Sequence, residues 1–516
     1  MCWIVFTCYT FDGYNCDYLQ TSRQGLQQGL QQGLRQGVPQ DVQQGMQMTE
    51  PMHNQHELLA SLPEPWQVSL LADIRMHIQD DGRKIVVLDD DPTGTQTVYD
   101  LPVLTRWDVP TLTAELQADN PACYVLTNSR SLNEAKVKAL LLELTTNLQY
   151  ASQHTGRRLS IISRSDSTLR GHFPLETDLI SKNIARPDGI LLVPYFLEGG
   201  RFTIHNTHYL ADGDTLTPAS ASPFAQDATF GYSTAHLPDW VAEKTAGRMS
   251  AAEVMTLPLE TIRQGGPEAV CAQLQQCHDE QVCVVNAVTL RDLEVVVMGQ
   301  LLAEASGKRF LPRTAASYVQ VRLGLETRRL LSKDTLQTTD TDAGGLLVVG
   351  SYVPTTTAQL AILLEHSDIC PVELDVPALL ACGDPELMLT QIAKDVDHHL
   401  AQGLDVVLFT SRDLITGAGA EANLELGRRV SQSLVNIVRQ LTEVPRFVIA
   451  KGGITSSDIA TQALHVTKAT VQGQLLPGVP VWQLGAGSRY PGLSYVVFPG
   501  NVGDARALHD AINLLQ

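Results

Sequence analysis

Short apolar runs separated by longer polar segments recur in two series along this chain, and that rhythm leaves few folds open. The first series comprises Ile85–Asp89, Cys123–Thr127, Leu159–Arg164, Gly189–Pro194 and Val282–Ala287. Such runs are rich in Val, Ile and Leu, as expected of strands buried on both faces. Between the second and third, Asn133 to Tyr150 sets Leu140, Leu141, Leu144 and Leu148 at helical spacing. The second series comprises Leu346–Tyr352, Val372–Val376, Val406–Thr410 and Phe447–Lys451, with a helix predicted over Glu421 to Leu441. Strands alternating with helices predict parallel pairing. Two such series predict an α/β protein of two α/β domains, each with a mostly parallel sheet. The length of 516 residues agrees, being too great for one core.

Boundaries follow from composition. Gln24 to Met48 repeats Gln-Gly and Gln-Gln-Gly, which cannot build a core and predicts disorder. Met46, Met48 and Met52 are alternative starts. The first residues, Met1 to Leu19, lack a basic region and carry Asp12 and Asp17, unlike a secretory signal. Folded sequence is expected from near Leu58, as a helix through Leu59, Leu62 and Trp66 to Ile78. Gln337 to Gly345 is polar and reads as a linker. These marks give an extension over 1–55, a first domain over 56–336 and a second over 337–516.

The formal net charge of −19 argues against a broad nucleic-acid surface. No apolar run is long enough to span a membrane. Nine cysteines lack metal spacing. Cys271, Cys277 and Cys283 recur every six residues, which suits neither a zinc site nor one helix face, and buried reduced thiols of a cytoplasmic protein are expected.

Chemistry gathers at the strand ends, where open parallel sheets present their ligands. The run Ile85 to Asp89 continues into Asp90, Asp91, Pro92, Thr93 and Gly94. Three adjacent carboxylates repel one another unless they hold a cation, a hydroxyl or a proton. A solvated helix-capping turn is the plainer alternative. Arg164 to Gly171 brings Arg164, Ser165, Asp166, Ser167, Thr168 and Arg170 together. Arginine forks pair carboxylates, and the hydroxyls and Asp166 can bond a polyol, so the set suits a small sugar acid. An internal Arg–Asp brace would explain the same residues. Thr127-Asn128-Ser129-Arg130 and Gly199-Gly200-Arg201-Phe202-Thr203 add similar groups.

The second half differs. Val349-Gly350-Ser351-Tyr352 ends one strand, and Lys451-Gly452-Gly453-Ile454-Thr455-Ser456-Ser457 ends another and opens a helix. Glycines allow close backbone approach, Thr and Ser can cap the helix, and its free amides suit nucleotide phosphates. The pattern is not a Walker A loop. Leu484-Gly485-Ala486-Gly487 and Phe498-Pro499-Gly500-Asn501-Val502-Gly503-Asp504 could together line an adenine and ribose slot.

These motifs, in this order, resemble the four-carbon acid sugar kinase family, whose members are similar to threonate, erythronate and 3-oxo-tetronate kinases. The resemblance rests on Asp90-Asp91-x-Thr93-Gly94, on Asp166 to Gly171, and on Pro194, Phe196, Gly200, Arg201 and Thr203. It continues through Gly350-Ser351, Gly452-Gly453-x-Thr455 and Gly500-Asn501-x-Gly503. It covers roughly Lys84 to the end. It implies a first domain that binds a sugar acid, a second that binds ATP, and an active-site cleft between them. Ser351, Gly452, Gly453, Ile454, Thr455, Gly500 and Asn501 would hold ATP. Arg164 and Arg170 would clamp the substrate carboxylate, with Asn128, Arg130, Ser167 and Arg201 assisting. Asp90, Asp91 or Asp166 would take or orient the hydroxyl proton while Mg²⁺ bridges the phosphates, its protein ligands unassigned. Arg164 stands where many members have Lys, and an Asp-Pro pair precedes Thr93, so the substrate stays open. The partners implied are the sugar acid and ATP, and a homo-oligomer is compatible.

Asp89-x-Asp91-x-Thr93 also resembles the nucleophile motif of haloacid-dehalogenase-like phosphatases, with Asp89 as the phosphorylated residue. That family needs a later Lys followed by an acidic pair. Lys451 is followed by two glycines instead. A non-catalytic sugar-acid sensor is a third reading.

Overall fold

The computed structural model describes residues 52–184, 186–336, 341–412, 415 and 420–516. The Gln-Gly repeats, Met46, Met48 and the start of the expected linker lie outside the described residues.

Twelve strands belong to the first half. They are β1 (His53–Asn54), β2 (Lys84–Asp89), β3 (Pro102–Leu104), β4 (Ala122–Leu126), β5 (Leu159–Arg164), β6 (Gly189–Val193), β7 (Arg201–Ile204), β8 (Thr207–Asp212), β9 (Thr215–Pro218), β10 (Met255–Leu257), β11 (Gln281–Val285) and β12 (Phe310–Thr314). The second half contributes β13 (Leu346–Val349), β14 (Cys370–Leu374), β15 (Val406–Thr410), β16 (Val448–Lys451), β17 (Lys468–Leu476), β18 (Val479–Leu484) and β19 (Ser494–Phe498). Each predicted strand exists, with ends moved by a few residues.

The two sheets expected from the two series are one. Fifteen strands run in the order β10-β11-β6-β12-β5-β2-β4-β3-β17-β18-β19-β16-β13-β15-β14. The pairs from β10 to β3 are parallel, as are those from β19 to β14. Between them β17 pairs antiparallel with both β3 and β18, and β18 with β19. The fold is thus α/β, two parallel regions joined by an antiparallel seam. Strand β2 is buried throughout, which explains its unbroken apolar run. A smaller sheet, β1-β9-β8-β7, is antiparallel and sits beside the first region.

The helix of Glu134–Thr155 begins one residue after its N-cap, Asn133, whose side chain accepts from the Lys136 N–H. It buries Leu141, Leu144 and Leu148. A helix expectation fails as well. The continuous helix through Leu59, Leu62 and Trp66 is two helices, Gln55–Ala60 and Leu71–Asp81. Pro63 and Pro65 fall between them, and proline disfavours helix for itself and its predecessor. Among the described residues no helix is long and apolar enough to cross a membrane.

Side chains reinforce the seam. The Trp482 indole N–H donates to Thr95 Oγ1 at 2.9 Å, and Gln96 Nε2 donates to Gly478 O at 2.9 Å. The buried Glu115 carboxylate joins Lys84 of β2, at 3.0 Å, to Lys468 of β17, at 2.7 Å. The seam therefore sets the turn after β2 against the second half.

Candidate active site

The acidic end of β2 places three carboxylates in three different settings. Asp89 points under the following turn. A Cβ added at Gly94 would lie 2.1 Å from both of its oxygens, so only glycine can cover it. Its partner is Arg164 NH1, at 3.2 Å. Burial, offset in part by Arg164, pushes its carboxyl up to about 8. A nucleophile sealed in this way has no approach from the cleft described below, and nothing in the site favours the phosphatase reading.

Asp90 is also buried. Its Oδ1 lies 3.4 Å from Arg164 NH1, while its Oδ2 has no hydrogen-bond partner. Burial, opposed by Arg130 and Arg164, pushes it up to about 6. Asp91 turns the other way. Its Oδ1 accepts from the Thr93 N–H at 2.9 Å and the Thr93 hydroxyl at 2.5 Å, and its Oδ2 meets Arg130 at 2.5 Å. Burial acts to raise it, but Arg130 and the Thr93 bonds win and hold it below the ordinary carboxylate value.

The Asp89 shift has a checkable sign. Its folded value is raised, so its contribution to stability is full at low pH and is lost as the pH climbs through about 8. Asp89→Asn cannot ionise. Its melting temperature relative to wild type should therefore rise between about pH 5 and about pH 8.5. An unchanged difference across that window would refute the assignment.

Arg130 spans two candidate carboxylates. Its NH2 holds Asp91 and its NH1 holds Asp166 at 3.1 Å. Asp166 also accepts from Arg170 Nε at 2.8 Å and from the Thr168 hydroxyl. Burial would raise Asp166, yet Arg170 and Arg130 hold it far below the usual range. The predicted internal brace is therefore present, with Arg130 added to it. Arg170 and Arg201 lie on the Phe224 ring, 4.9 and 5.8 Å from its centroid. Arg201 and Arg164 each have a buried Nε without a partner, but Arg201 NH1 donates only to Gly199 O, whereas Arg164 NH1 is held by the carboxylates of Asp89 and Asp90.

On the opposite side, the turns after β13, β16 and β19 pack together. A Cβ at Gly350 would lie 2.3 Å from Thr455 Oγ1, one at Gly452 3.1 Å from Ser351 Cβ, and one at Gly500 2.8 Å from Ser351 Oγ. The predicted side-chain caps are not made. The N-cap position is Gly452, and the Ser456 hydroxyl donates instead to Ala450 O at 2.7 Å. The helix, Gly453–Asp458, is short and runs into a wider π turn over Ile459–Ala463. Lys451 is wholly buried beneath these turns, donating to Pro499 O at 2.6 Å, and burial pushes it down to about 6. Leu484 to Gly487 does not join them. Strand β18 runs antiparallel to β19, so its end lies beside the start of β19, away from those turns, where Gly485 N–H donates to Lys468 O at 2.9 Å.

The two sides face one another across a cleft of about 790 Å³. They touch where Asp91 meets the second half: a Cβ at Gly453 would fall 2.4 Å from Asp91 Oδ2. The lining includes Asp91, Arg130, Arg164, Asp166, Ser167, Arg170 and Arg201 from the first half. From the second come Ser351, Gly452, Gly453, Ile454, Thr455, Gly500 and Asn501. Asp90 and Asn128 stand outside it. Asp90 lies behind the lining, and Asn128 takes a left-handed conformation at the head of the turn Ser129–Ser131. Sequence reasoning gave no role to Gln96, Glu198, Phe224 or Tyr352, which also line the cleft, although Tyr352 stands in the strand end already singled out. Glu198 and Gln96 adjoin motifs that were recognised. Phe224 had no neighbouring signal.

Comparisons with known proteins match this two-sided arrangement. A family described as the sugar-binding N-terminal domain matches residues 85–322, and one described as the nucleotide-binding C-terminal domain matches residues 346–508. A comparison with curated proteins gave no match. Among solved structures, a Salmonella typhimurium LT2 protein provisionally named a tRNA synthase is similar. It has 17% identity and a TM-score of 0.58, covering 84% of this chain and 99% of that one. A Haemophilus influenzae protein, assigned to a domain of unknown function, has 16% identity and a TM-score of 0.52, covering 84% of this chain and all of that one. At such identities the likeness concerns the fold. With both domain families matched in order and flanking one cleft, the chain belongs to the family of paired sugar-binding and nucleotide-binding domains that has the four-carbon acid sugar kinase architecture.

Proposed function

We propose that this protein is an ATP-dependent kinase that phosphorylates a terminal hydroxyl of a four-carbon sugar acid, of the threonate, erythronate or 3-oxo-tetronate type. In this reading residues 56–336 hold the acid and residues 337–516 hold the nucleotide. One observation carries it: the Asp91 carboxylate lies between the arginine cluster of the first half and Gly453 of the second. A hydroxyl bonded there would face the nucleotide turns.

Each residue has a task that its setting supports. Arg170 and Arg201 present guanidinium groups to the cleft from one aromatic ring and bind the substrate carboxylate. Asp166 fixes Arg170 and Arg130 and stays ionised. Asp91, held ionised by Arg130 and Thr93, orients the attacking hydroxyl and accepts its proton as the bond forms. A weakly basic carboxylate suffices, because phosphoryl transfer depends mainly on positioning and charge stabilisation. Arg130 and Arg164 are positioning residues for these carboxylates. The turns at Gly350, Gly452 and Gly500 can pack together because a Cβ at any of them would press on Thr455 or Ser351, and together they line the cleft where the nucleotide phosphates would lie.

Among the described residues no group of three or more His, Cys, Asp or Glu side chains could hold a metal alone. The donor set suits a Mg²⁺ that arrives on the nucleotide phosphates, with Asp91 as the nearby carboxylate. Such an ion would neutralise charge on the transferred group. The free cysteines among the described residues support a cytoplasmic setting.

The test is a panel of threonate, erythronate and their oxo derivatives, each with ATP and Mg²⁺, read by ADP release and by mass of the product. At least one acid should be phosphorylated on its terminal hydroxyl. Nucleotide binding without phosphorylation of any acid would sink the reading.

A further inference from the structure

Of the carboxyls in the cleft wall that have no task in this mechanism, Glu198 is the one with a buried, unpartnered oxygen. Glu198 is the second residue of the tight turn Leu197–Gly200, closed by the Gly200 N–H donating to Leu197 O at 2.9 Å. The turn is pinned on three sides. Phe196 and Arg201 pair across its base. The Phe196 ring covers Gly199 so closely that a Cβ there would lie 2.5 Å from it. The wholly buried Ser317 accepts from the Leu197 N–H at 3.1 Å, and its hydroxyl neighbours the Glu198 carboxyl. Glu198 is therefore held in place rather than waving at the rim.

One of its oxygens is buried and unused: Oε2 has no hydrogen-bond partner. Burial pushes this carboxyl up, opposed only by the turn's own amide and Ser317, and no cationic side chain offsets it. An unpartnered buried oxygen is costly, and it makes sense where a ligand completes it. A second carboxylate cannot, because like charges repel and the substrate's own carboxylate belongs with Arg170 and Arg201. A metal does not fit, since no cluster of ligands surrounds it among the described residues. A hydroxyl does fit. It donates to the ionised carboxyl and accepts from the protonated one, so it satisfies Glu198 in either state.

We propose that Glu198 is a specificity-determining residue that hydrogen-bonds a substrate hydroxyl other than the one phosphorylated, selecting hydroxylated acids over deoxy acids. This rests on the kinase reading above. Site-built hydrogen bonds discriminate strongly against analogues that lack the group, because the protein partner is then left unpaired.

Calorimetric titration tests it. Wild type, Glu198→Ala and Glu198→Gln are titrated with a four-carbon hydroxy acid, with each of its monodeoxy analogues, and separately with ATP. Wild type should bind the hydroxy acid roughly 10- to 100-fold better than one of the analogues, the range expected for a hydrogen bond to a charged group. Glu198→Ala should bind the two equally, with ATP affinity unchanged. Glu198→Gln, which keeps one acceptor and gains a donor, should retain part of the preference and guards against a folding defect in the alanine variant. Equal loss of affinity for every acid, or an undiminished preference in Glu198→Ala, overturns the proposal. Turnover of wild type is followed in parallel. A hydroxyl preference without phosphoryl transfer would fell the kinase reading and leave Glu198 standing, while failure of wild type to bind any acid overturns both.

Discussion

Replacing Asp91 by asparagine should lower kcat by about 10²- to 10⁴-fold, the range for losing a positioned proton acceptor. The argument starts from its two oxygens. Oδ1 serves Thr93 and survives as the amide oxygen of asparagine. Oδ2 meets Arg130 at 2.5 Å and would become an NH₂ group facing a guanidinium. Arg130 keeps Asp166 at 3.1 Å, so the fold around it should hold. The loss should appear in kcat, with the KM for the acid changed little, because Arg170 and Arg201 are untouched. Steady-state kinetics beside a thermal melt decides it. Near-normal kcat in a folded variant would remove Asp91 from catalysis and return attention to Asp166.

Gly453→Ala should cost about 10²-fold in kcat without unfolding the chain, by the misplacement that proximity effects make expensive. Gly453 is not among the glycines with positive φ, whereas its neighbour Gly452 has φ 114°. Alanine is thus tolerated by the backbone at 453 and strained at 452. The difficulty at 453 is steric and lies across the cleft, where the new methyl would come within 2.4 Å of Asp91 Oδ2. Asp91 cannot swing aside freely, because Thr93 and Arg130 hold it. The methyl must displace the carboxylate, the nucleotide turn, or both. Measured KM values for ATP and for the acid will show which moves. Full activity in Gly453→Ala would mean that the contact has no bearing on chemistry.

Much of this was legible in the sequence, for identifiable reasons. Strands such as Ile85–Asp89 and Val406–Thr410 are buried on both faces, so their apolar runs are unbroken and easily seen. Polar strand ends marked most of the cleft lining, because parallel strands deliver their ends to one edge. The exceptions share a cause. Leu484 to Gly487 looks like another glycine-rich strand end, but β18 is antiparallel and delivers it elsewhere. Pairing direction is set by partners remote in sequence, as β3 and β17 are. The same limit hid the difference among Asp89, Asp90 and Asp91. Adjacent letters gave no sign that Gly94 covers the first, that the second is buried, or that the third meets Gly453. Phe224, which carries two arginines, lies outside every motif.

The antiparallel seam has a consequence for any attempt to divide this protein. Cutting the chain between its two halves would strip β3 from β17 and turn both into raw sheet edges. The nine-residue β17 would retain only β18 on one side and expose a row of unpaired amides and carbonyls on the other. Such edges recruit foreign strands. The halves are two binding modules by function, but as folding objects each is the other's missing edge, and neither should be treated as a detachable part.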